Sequence, residues 1–246
     1  MKILGIIPAR YGSTRLEGKP LKDICGKPMI QWVYEAVQKA SLLDALIVAT
    51  DDQRIVGAVE AFGGIATLTS PGHKTGTDRI AEVAREHEAN IVVNIQGDEP
   101  LLDPRMIDEA IQPLLDEPDL KAATLCRPIQ SEEDLHVPHV VKVVFDLNGN
   151  ALYFSRSLIP FARKQEGFQA FEHIGIYVYR KSYLMEYVAL PQTPLEVTES
   201  LEQLRILENG VRCKVVVTQY DYLGLSVDTA EDLERVRAIL ADRQEK

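Results

Sequence analysis

The hydrophobic positions change their period along the chain, and those changes divide it. Ile3-Leu4-Gly5-Ile6-Ile7 is a continuous apolar run, the pattern of a strand buried on both faces of a sheet. From Pro28 the spacing turns helical. Met29, Ile30, Val33 and Val37 recur on one face, and proline suits a helix start. Leu46-Ile47-Val48-Ala49 predicts the next strand and residues 53–62 the next helix; a helix near 77–88 then precedes a third strand at Ile91-Val92-Val93-Asn94-Ile95. This alternation predicts an α/β fold with a Rossmann-like, mostly parallel sheet and helices on both faces.

The second half has another rhythm. Val140–Asp146, Ala151–Ser155 and His173–Tyr179 read as strands, the first two joined as a hairpin around Asn148-Gly149-Asn150. A helix over roughly 196–208 is expected to end at Gly210, followed by a strand at 211–218 and a last helix from about 230 to 242. No repeat or linker separates the halves. The expectation is one α/β domain over residues 1–246 with an inserted antiparallel sub-domain at about 128–215.

Composition narrows the class. A chain of 246 residues, 46% hydrophobic and 26% charged, buries a core without disulfides or metals. Its net charge of -10 argues against nucleic acid as a partner, which needs a basic face. Residues 1–30 reverse that sign locally, with Lys2, Arg10, Arg15, Lys19, Lys22 and Lys27 against Glu17 and Asp23. Cys25, Cys126 and Cys213 fit no zinc or redox spacing, and their odd count suits a reducing cytoplasm. The run Ile3–Pro8 is too short to cross or insert in a bilayer.

The basic residues concentrate just after the first strand, in Pro8-Ala9-Arg10-Tyr11-Gly12-Ser13-Thr14-Arg15-Leu16-Glu17-Gly18-Lys19-Pro20. In open parallel sheets ligands bind beyond the carboxyl ends of the strands, where this loop must lie. Glycines admit phosphate oxygens to backbone N–H groups, and two arginines with a lysine neutralise a polyphosphate. The loop is not a P-loop: five residues rather than four separate Gly12 from Gly18, and Pro20 stands where Ser or Thr would bind magnesium. The bland alternative is a basic surface loop with glycines for turns. Gln96-Gly97-Asp98-Glu99-Pro100 follows the third strand and places Asp98 at the same edge of the sheet, where a carboxylate holds Mg²⁺ or simply ends the strand in a turn. Val227-Asp228-Thr229-Ala230-Glu231-Asp232 opens the last helix, and Thr229 with Asp232 approximates a capping box.

These segments, read together, resemble the 3-deoxy-manno-octulosonate cytidylyltransferase (CMP-Kdo synthetase) family. The closest likeness runs from Ile7 to Leu16 and through Gly18-Lys19-Pro20-Leu21; sialic-acid cytidylyltransferases share a looser version. The resemblance implies that Arg10, Ser13, Arg15 and Lys19 line the CTP phosphates, that Gln96 lies beside the nucleotide, and that Asp98 and Asp228 bind the metal, Mg²⁺. His73-Lys74-Thr75-Gly76-Thr77-Asp78-Arg79 resembles the family's Ser-Gly-Thr-Asp-Arg element, implying nucleotide contacts for Thr77 and Arg79; capping of the next helix is its bland reading. Segments at 153–157, 173–177 and 200–204 match the family around the sugar acid. They imply Arg156 and His173 at its carboxylate, Glu202 and Gln203 at its hydroxyls, and Tyr177 beside them. By resemblance, then, the catalytic set is Arg10, Arg15, Lys19, Asp98 and Asp228. The substrates are CTP and a 3-deoxy-2-ulosonic acid, and the assembly is a homodimer. The chain departs from the family at Glu17 for proline, Thr75 for serine and Ser226 for glycine, which leaves a related sugar acid open as substrate. Glu17 is expected to face solvent. A non-catalytic nucleotide-binding module on the same fold is the rival from another class.

Overall fold

The computed structural model describes residues 1–12 and 16–244. The chain forms two compact units, residues 1–108 with 220–246, and residues 109–219. The second is inserted in the first, and it starts before the expected residue 128 and ends after the expected 215.

In the first unit, β1 (Ile3–Ala9) is followed by a short hairpin, β2 (Asp23–Ile24) with β3 (Lys27–Pro28). Then come α1 (Met29–Val37), β4 (Ala45–Thr50), α2 (Gln53–Ala61), β5 (Ala66–Leu68), α3 (Gly76–Glu86) and β6 (Ile91–Asn94). β6, β1, β4 and β5 lie side by side in that order, all parallel, with Ile6 level with both Ile47 and Asn94. Parallel neighbours need crossover connections, which the intervening helices supply. α1 buries Met29, Ile30, Val33, Tyr34 and Val37, a single apolar face. Pro28 caps α1 instead of occupying its first turn. α3 opens with a reciprocal box: Thr75 Oγ1 accepts from the Asp78 N–H (3.1 Å), and Asp78 Oδ2 accepts from the Thr75 N–H (3.2 Å). The cap is therefore Thr75, not Thr77.

α4 (Pro104–Asp116) and β7 (Ala122–Pro128) carry the chain into the second unit. There follow β8 (Lys142–Phe145), β9 (Ala151–Ser155), β10 (Phe171–Arg180), α5 (Lys181–Tyr187), α6 (Pro194–Glu199), α7 (Leu204–Glu208) and β11 (Cys213–Val217). β10 runs antiparallel to β7 and β8, β9 is antiparallel to β8, and β11 is parallel to β7. The β8–β9 hairpin forms where Asn148-Gly149-Asn150 predicts it, because Asp146 Oδ1 accepts from the N–H groups of Asn148 and Asn150, each at 2.8 Å. The single helix expected over 196–208 is two short ones. Ser200 sits at φ 52 between them, and the carbonyls of Glu199 and Ser200 turn to accept from the Arg156 guanidinium at 2.7 and 3.2 Å. The chain then returns to the first unit with α8 (Ala230–Gln244), whose Leu233, Val236 and Leu240 bury against Ile24, Met29 and Val227. Among the described residues no helix is long and apolar enough to cross a membrane.

Candidate functional site

β1, β4, β5 and β6 end at Ala9, Thr50, Leu68 and Asn94, so the segments that follow them gather at one edge of the parallel sheet. Close approach there depends on Gly97. A Cβ at this position would lie 2.9 Å from the Pro8 carbonyl oxygen and 3.2 Å from Ile7 Cγ2. Any side chain would push Asp98 away from the end of β1. Gly18 makes the matching turn on the basic segment. At φ 65 it donates its N–H to the Tyr11 carbonyl (3.0 Å) and starts the tight helical turn Lys19–Leu21. Asp228 arrives from far along the sequence, its neighbour Val227 donating an N–H to the Asp98 carbonyl at 2.9 Å.

The result is a three-charge cluster. Lys19 Nζ donates to Asp98 Oδ2 at 2.7 Å and to Asp228 Oδ1 at 3.1 Å, and side-chain exposures are 15%, 27% and 34% in that order. One ammonium thus lies between two carboxylates that stay open to solvent. Beside it is a cavity of about 330 Å³ lined by Arg10, Lys19, His73, Lys74, Thr75, Gln96, Asp98 and Asp228 among others, within the size range of small-molecule sites. A divalent cation fits this donor set. The lysine ammonium already marks a point between the carboxylates where positive charge is stabilised. Mg²⁺ takes one or two carboxylates, completing its shell with water and substrate phosphates. No group of three or more His, Cys, Asp or Glu side chains gathers as a metal site among the described residues.

The other expected nucleotide residues divide. Ser13 and Arg15 lie outside the described residues. Arg10 is exposed and Gln96 half-buried, both on the cavity; Glu17 is exposed, as expected. Arg79 also borders the cavity, but its guanidinium donates to Asp51 Oδ2 (2.8 Å) and Thr69 Oγ1 (2.6 Å). Thr77 is fully buried, its Oγ1 accepting from Asn94 Nδ2 at 3.3 Å. Both side chains therefore hold α3 to the strand ends. Sequence reasoning missed His73, whose Nε2 meets the Glu82 carboxylate and so fixes the loop before α3. His73 stood inside the matched segment, but its partner lies nine residues on.

The sugar-acid candidates all belong to the second unit. Arg156 donates Nε to the Glu199 carbonyl (2.7 Å) and its two terminal nitrogens to the carbonyls of Pro138 (3.1 Å) and Ser200 (3.2 Å). Three of a guanidinium's five donors are so committed, which orients the fork and leaves two. The His173 ring packs edge-on to Phe154 and against Tyr177, and burial pushes its pKa down to about 3. Thr124 Oγ1 lies 2.8 Å from His173 Nε2 and 2.7 Å from the Ile176 carbonyl oxygen. The ring is neutral, so one of its nitrogens donates and the other accepts. Tyr177 and Gln203 are buried and Glu202 half-buried. Burial also raises the Tyr177 phenol well above its ordinary value. Glu199, which no motif marked, binds Ser155 Oγ (2.6 Å) and the Arg156 N–H (3.0 Å).

A larger cavity of about 630 Å³ lies between Trp32, Lys39, Leu101, Arg105, Leu223 and Arg243. Of its three carboxylates, Glu35, Asp103 and Asp221, the first two already pair with Lys27 and Arg105.

A basic glycine-bearing segment and two carboxylates, gathered at the carboxyl edge of a parallel sheet, define an α/β protein for binding a phosphate-bearing nucleotide. Comparison with known proteins narrows the class. Residues 4–214 match the family model described as cytidylyltransferase. The 3-deoxy-manno-octulosonate cytidylyltransferase of Trichlorobacter lovleyi is 54% identical over 248 residues, covering 96% of this chain and 98% of that one. The protein of the same name from Geotalea daltonii is 54% identical over 254 residues, covering 99% and 100%. A solved structure of CMP:2-keto-3-deoxy-manno-octonic acid synthetase complexed with CTP superposes with a TM-score of 0.94 at 46% identity, covering 99% of this chain and 100% of that one. The chain belongs to the 3-deoxy-manno-octulosonate cytidylyltransferase family of nucleotidyltransferases.

Proposed function

We propose that the chain joins CTP to 3-deoxy-manno-octulosonate, giving CMP-Kdo and pyrophosphate, in the cytoplasm and as a homodimer, as a step that supplies lipopolysaccharide synthesis. The observation that carries this reading is the convergence of Asp98 and Asp228 on Lys19 beside the basic segment. The sugar's anomeric oxygen forms a bond to the α-phosphorus, the bond from that phosphorus to the bridging oxygen breaks, pyrophosphate leaves, and the hydroxyl proton passes to solvent. Little covalent chemistry falls to the protein in such transfers, so positioning and charge stabilisation dominate. Arg10, Arg15 and Lys19 bind the phosphates and neutralise charge as it builds on them, with Ser13 and Gln96 serving the nucleotide, while Thr77 and Arg79 keep α3 at the strand ends beside it. Asp98 and Asp228 would hold Mg²⁺, which when bound supplies Lewis-acid stabilisation of phosphate oxygens. Lys19 then exchanges its carboxylate partners for phosphate. The two remaining donors of Arg156 suit the sugar carboxylate, with His173 and Tyr177 beside it, and Glu202 and Gln203 suit hydroxyls.

Pyrophosphate release across a grid of nucleoside triphosphates and sugar acids tests the proposal. The expected result is release with CTP and 3-deoxy-manno-octulosonate, dependent on Mg²⁺. Preference for another sugar acid would move the substrate within the class; no release with any pair would remove the catalytic reading.

A further inference from the structure

Residues 220–228 contain neither helix nor strand, yet this strap delivers Asp228 to the site. An irregular segment has no ladder of its own to fix it, so its position comes from individual ties. Near its start, the Arg105 guanidinium lies 4.2 Å from the centre of the Tyr220 ring. At its end, the Val227 side chain is buried beside Ile24, Met29 and Leu233, and the Val227 N–H donates to the Asp98 carbonyl at 2.9 Å. Between them the Tyr222 hydroxyl donates to Glu99 Oε1 at 2.9 Å. Glu99 is a buried carboxylate directly after Asp98. A carboxyl group removed from water needs hydrogen-bond partners. Two hydrogen bonds therefore stitch the strap to the turn after β6, one at Asp98 itself and one at the next residue. Removing either weakens the hold of that turn on the strap.

We propose that Tyr222 and Glu99 form a positioning pair that sets the approach of Asp228 to Asp98, and through it the affinity of the site for a divalent cation. The inference rests on reading Asp98 and Asp228 as the cation's carboxylates. Magnesium demands near-ideal geometry, so a small drift of one carboxylate weakens it steeply. Neither member of the pair touches the cation or the reacting atoms in this account; both act through the backbone of their neighbours.

The test is a Mn²⁺ titration of the full chain with CTP and no sugar acid, followed by the paramagnetic resonance of the free ion. Tyr222→Phe removes one oxygen atom and is expected to weaken Mn²⁺ by roughly tenfold, the equivalent of one hydrogen bond. Glu99→Gln keeps the shape of the side chain and is expected to lose less, so it reports independently if Tyr222→Phe folds poorly. In turnover, Tyr222→Phe should raise the Mg²⁺ concentration for half-maximal rate while leaving kcat at saturating Mg²⁺ near wild type. In metal-free protein the Val227 amide should exchange faster in both variants. Mn²⁺ affinity within about twofold of wild type in both variants, which is under the scale of a single hydrogen bond, overturns the proposal; unchanged Val227 exchange does the same. Failure of the underlying reading is separately visible. A wild-type chain that takes up no Mn²⁺ with CTP present removes the cation from Asp98 and Asp228, whereas normal wild-type uptake with unaffected variants removes only the pair.

Discussion

Two clusters of opposite charge, one in each unit, show how the same side-chain chemistry serves different ends. In the first unit Lys19 bridges Asp98 and Asp228, whose side chains remain 27% and 34% exposed at the wall of a cavity. In the second, Arg205 grips Glu196 with both Nε and a terminal nitrogen, the pair being 6% and 3% exposed and capped by the Tyr187 ring 4.8 Å from the guanidinium carbon. Burial alone would raise the Glu196 carboxyl, but the bonds from Arg205 and from the Thr193 N–H outweigh it and hold it below the ordinary range. The arginine pair is bidentate and closed to solvent, with the Thr193 N–H and the Leu190 carbonyl as its further partners. The lysine is a point charge shared between two acceptors whose side chains stay partly exposed. A completed ion pair fixes structure; an open one can trade its cation for a ligand.

That contrast is tested first at its strongest point. Asp98→Asn is expected to abolish nearly all Mg²⁺-dependent pyrophosphate release while leaving the denaturation midpoint close to wild type; near-normal turnover would take Asp98 out of the site. The reciprocal experiment is Arg205→Met, which strands Glu196 in the interior. It should cost about 3–5 kcal/mol of stability in urea titration, much of it recovered when Glu196→Leu is added, since a buried pair can be replaced by apolar groups of similar volume. A loss under about 1 kcal/mol would mean that the pair behaves like a surface bridge. The smallest expected effect sharpens the comparison with a third setting, a half-buried group kept uncharged. His173 is held near pKa 3 against an ordinary value of 6.5. Between those values the unfolded chain binds a proton that the folded chain does not. Stability from this group is complete above pH 6.5 and falls by up to roughly 1.4 kcal/mol per unit as the pH drops below it. Denaturation midpoints at pH 7 and pH 5 should therefore differ more in wild type than in His173→Gln.

The legible parts of the chain were those whose local pattern and tertiary setting agree. β1, α1, α2, α3 and α8 were visible because an apolar run, an apolar stripe or a capping residue each sufficed. The pattern does not predict α4 or β7, although the face of α4 carries the buried Met106, Ile107, Ala110, Ile111 and Leu114. Pro113 inside that helix obscures its stripe. The break between α6 and α7 could not be read either. It depends on Ser200 in a left-handed conformation and on Arg156 reaching across 44 residues to the carbonyls it exposes. At the site, Asp98 and Asp228 were named from motifs, but their common partner Lys19 was expected to serve phosphate only. The ties of Arg79 to Asp51 and of Tyr222 to Glu99 had no sequence signal, because neither pair has a fixed spacing.

The insertion of the second unit within the first has a consequence for a chain still being made. During synthesis the ribosome delivers β1 to β6 with Asp98, then the whole of residues 109–219, and only afterwards the strap with Asp228 and α8. Domains tend to fold as units as they emerge, so the inserted unit can finish while its host still waits for its last helix. The apolar surface of Ile24 and Met29 that α8 covers stays unclaimed until then. A nascent chain therefore carries the basic segment for some time without the second carboxylate, and gains the complete cluster only in its final stretch of translation.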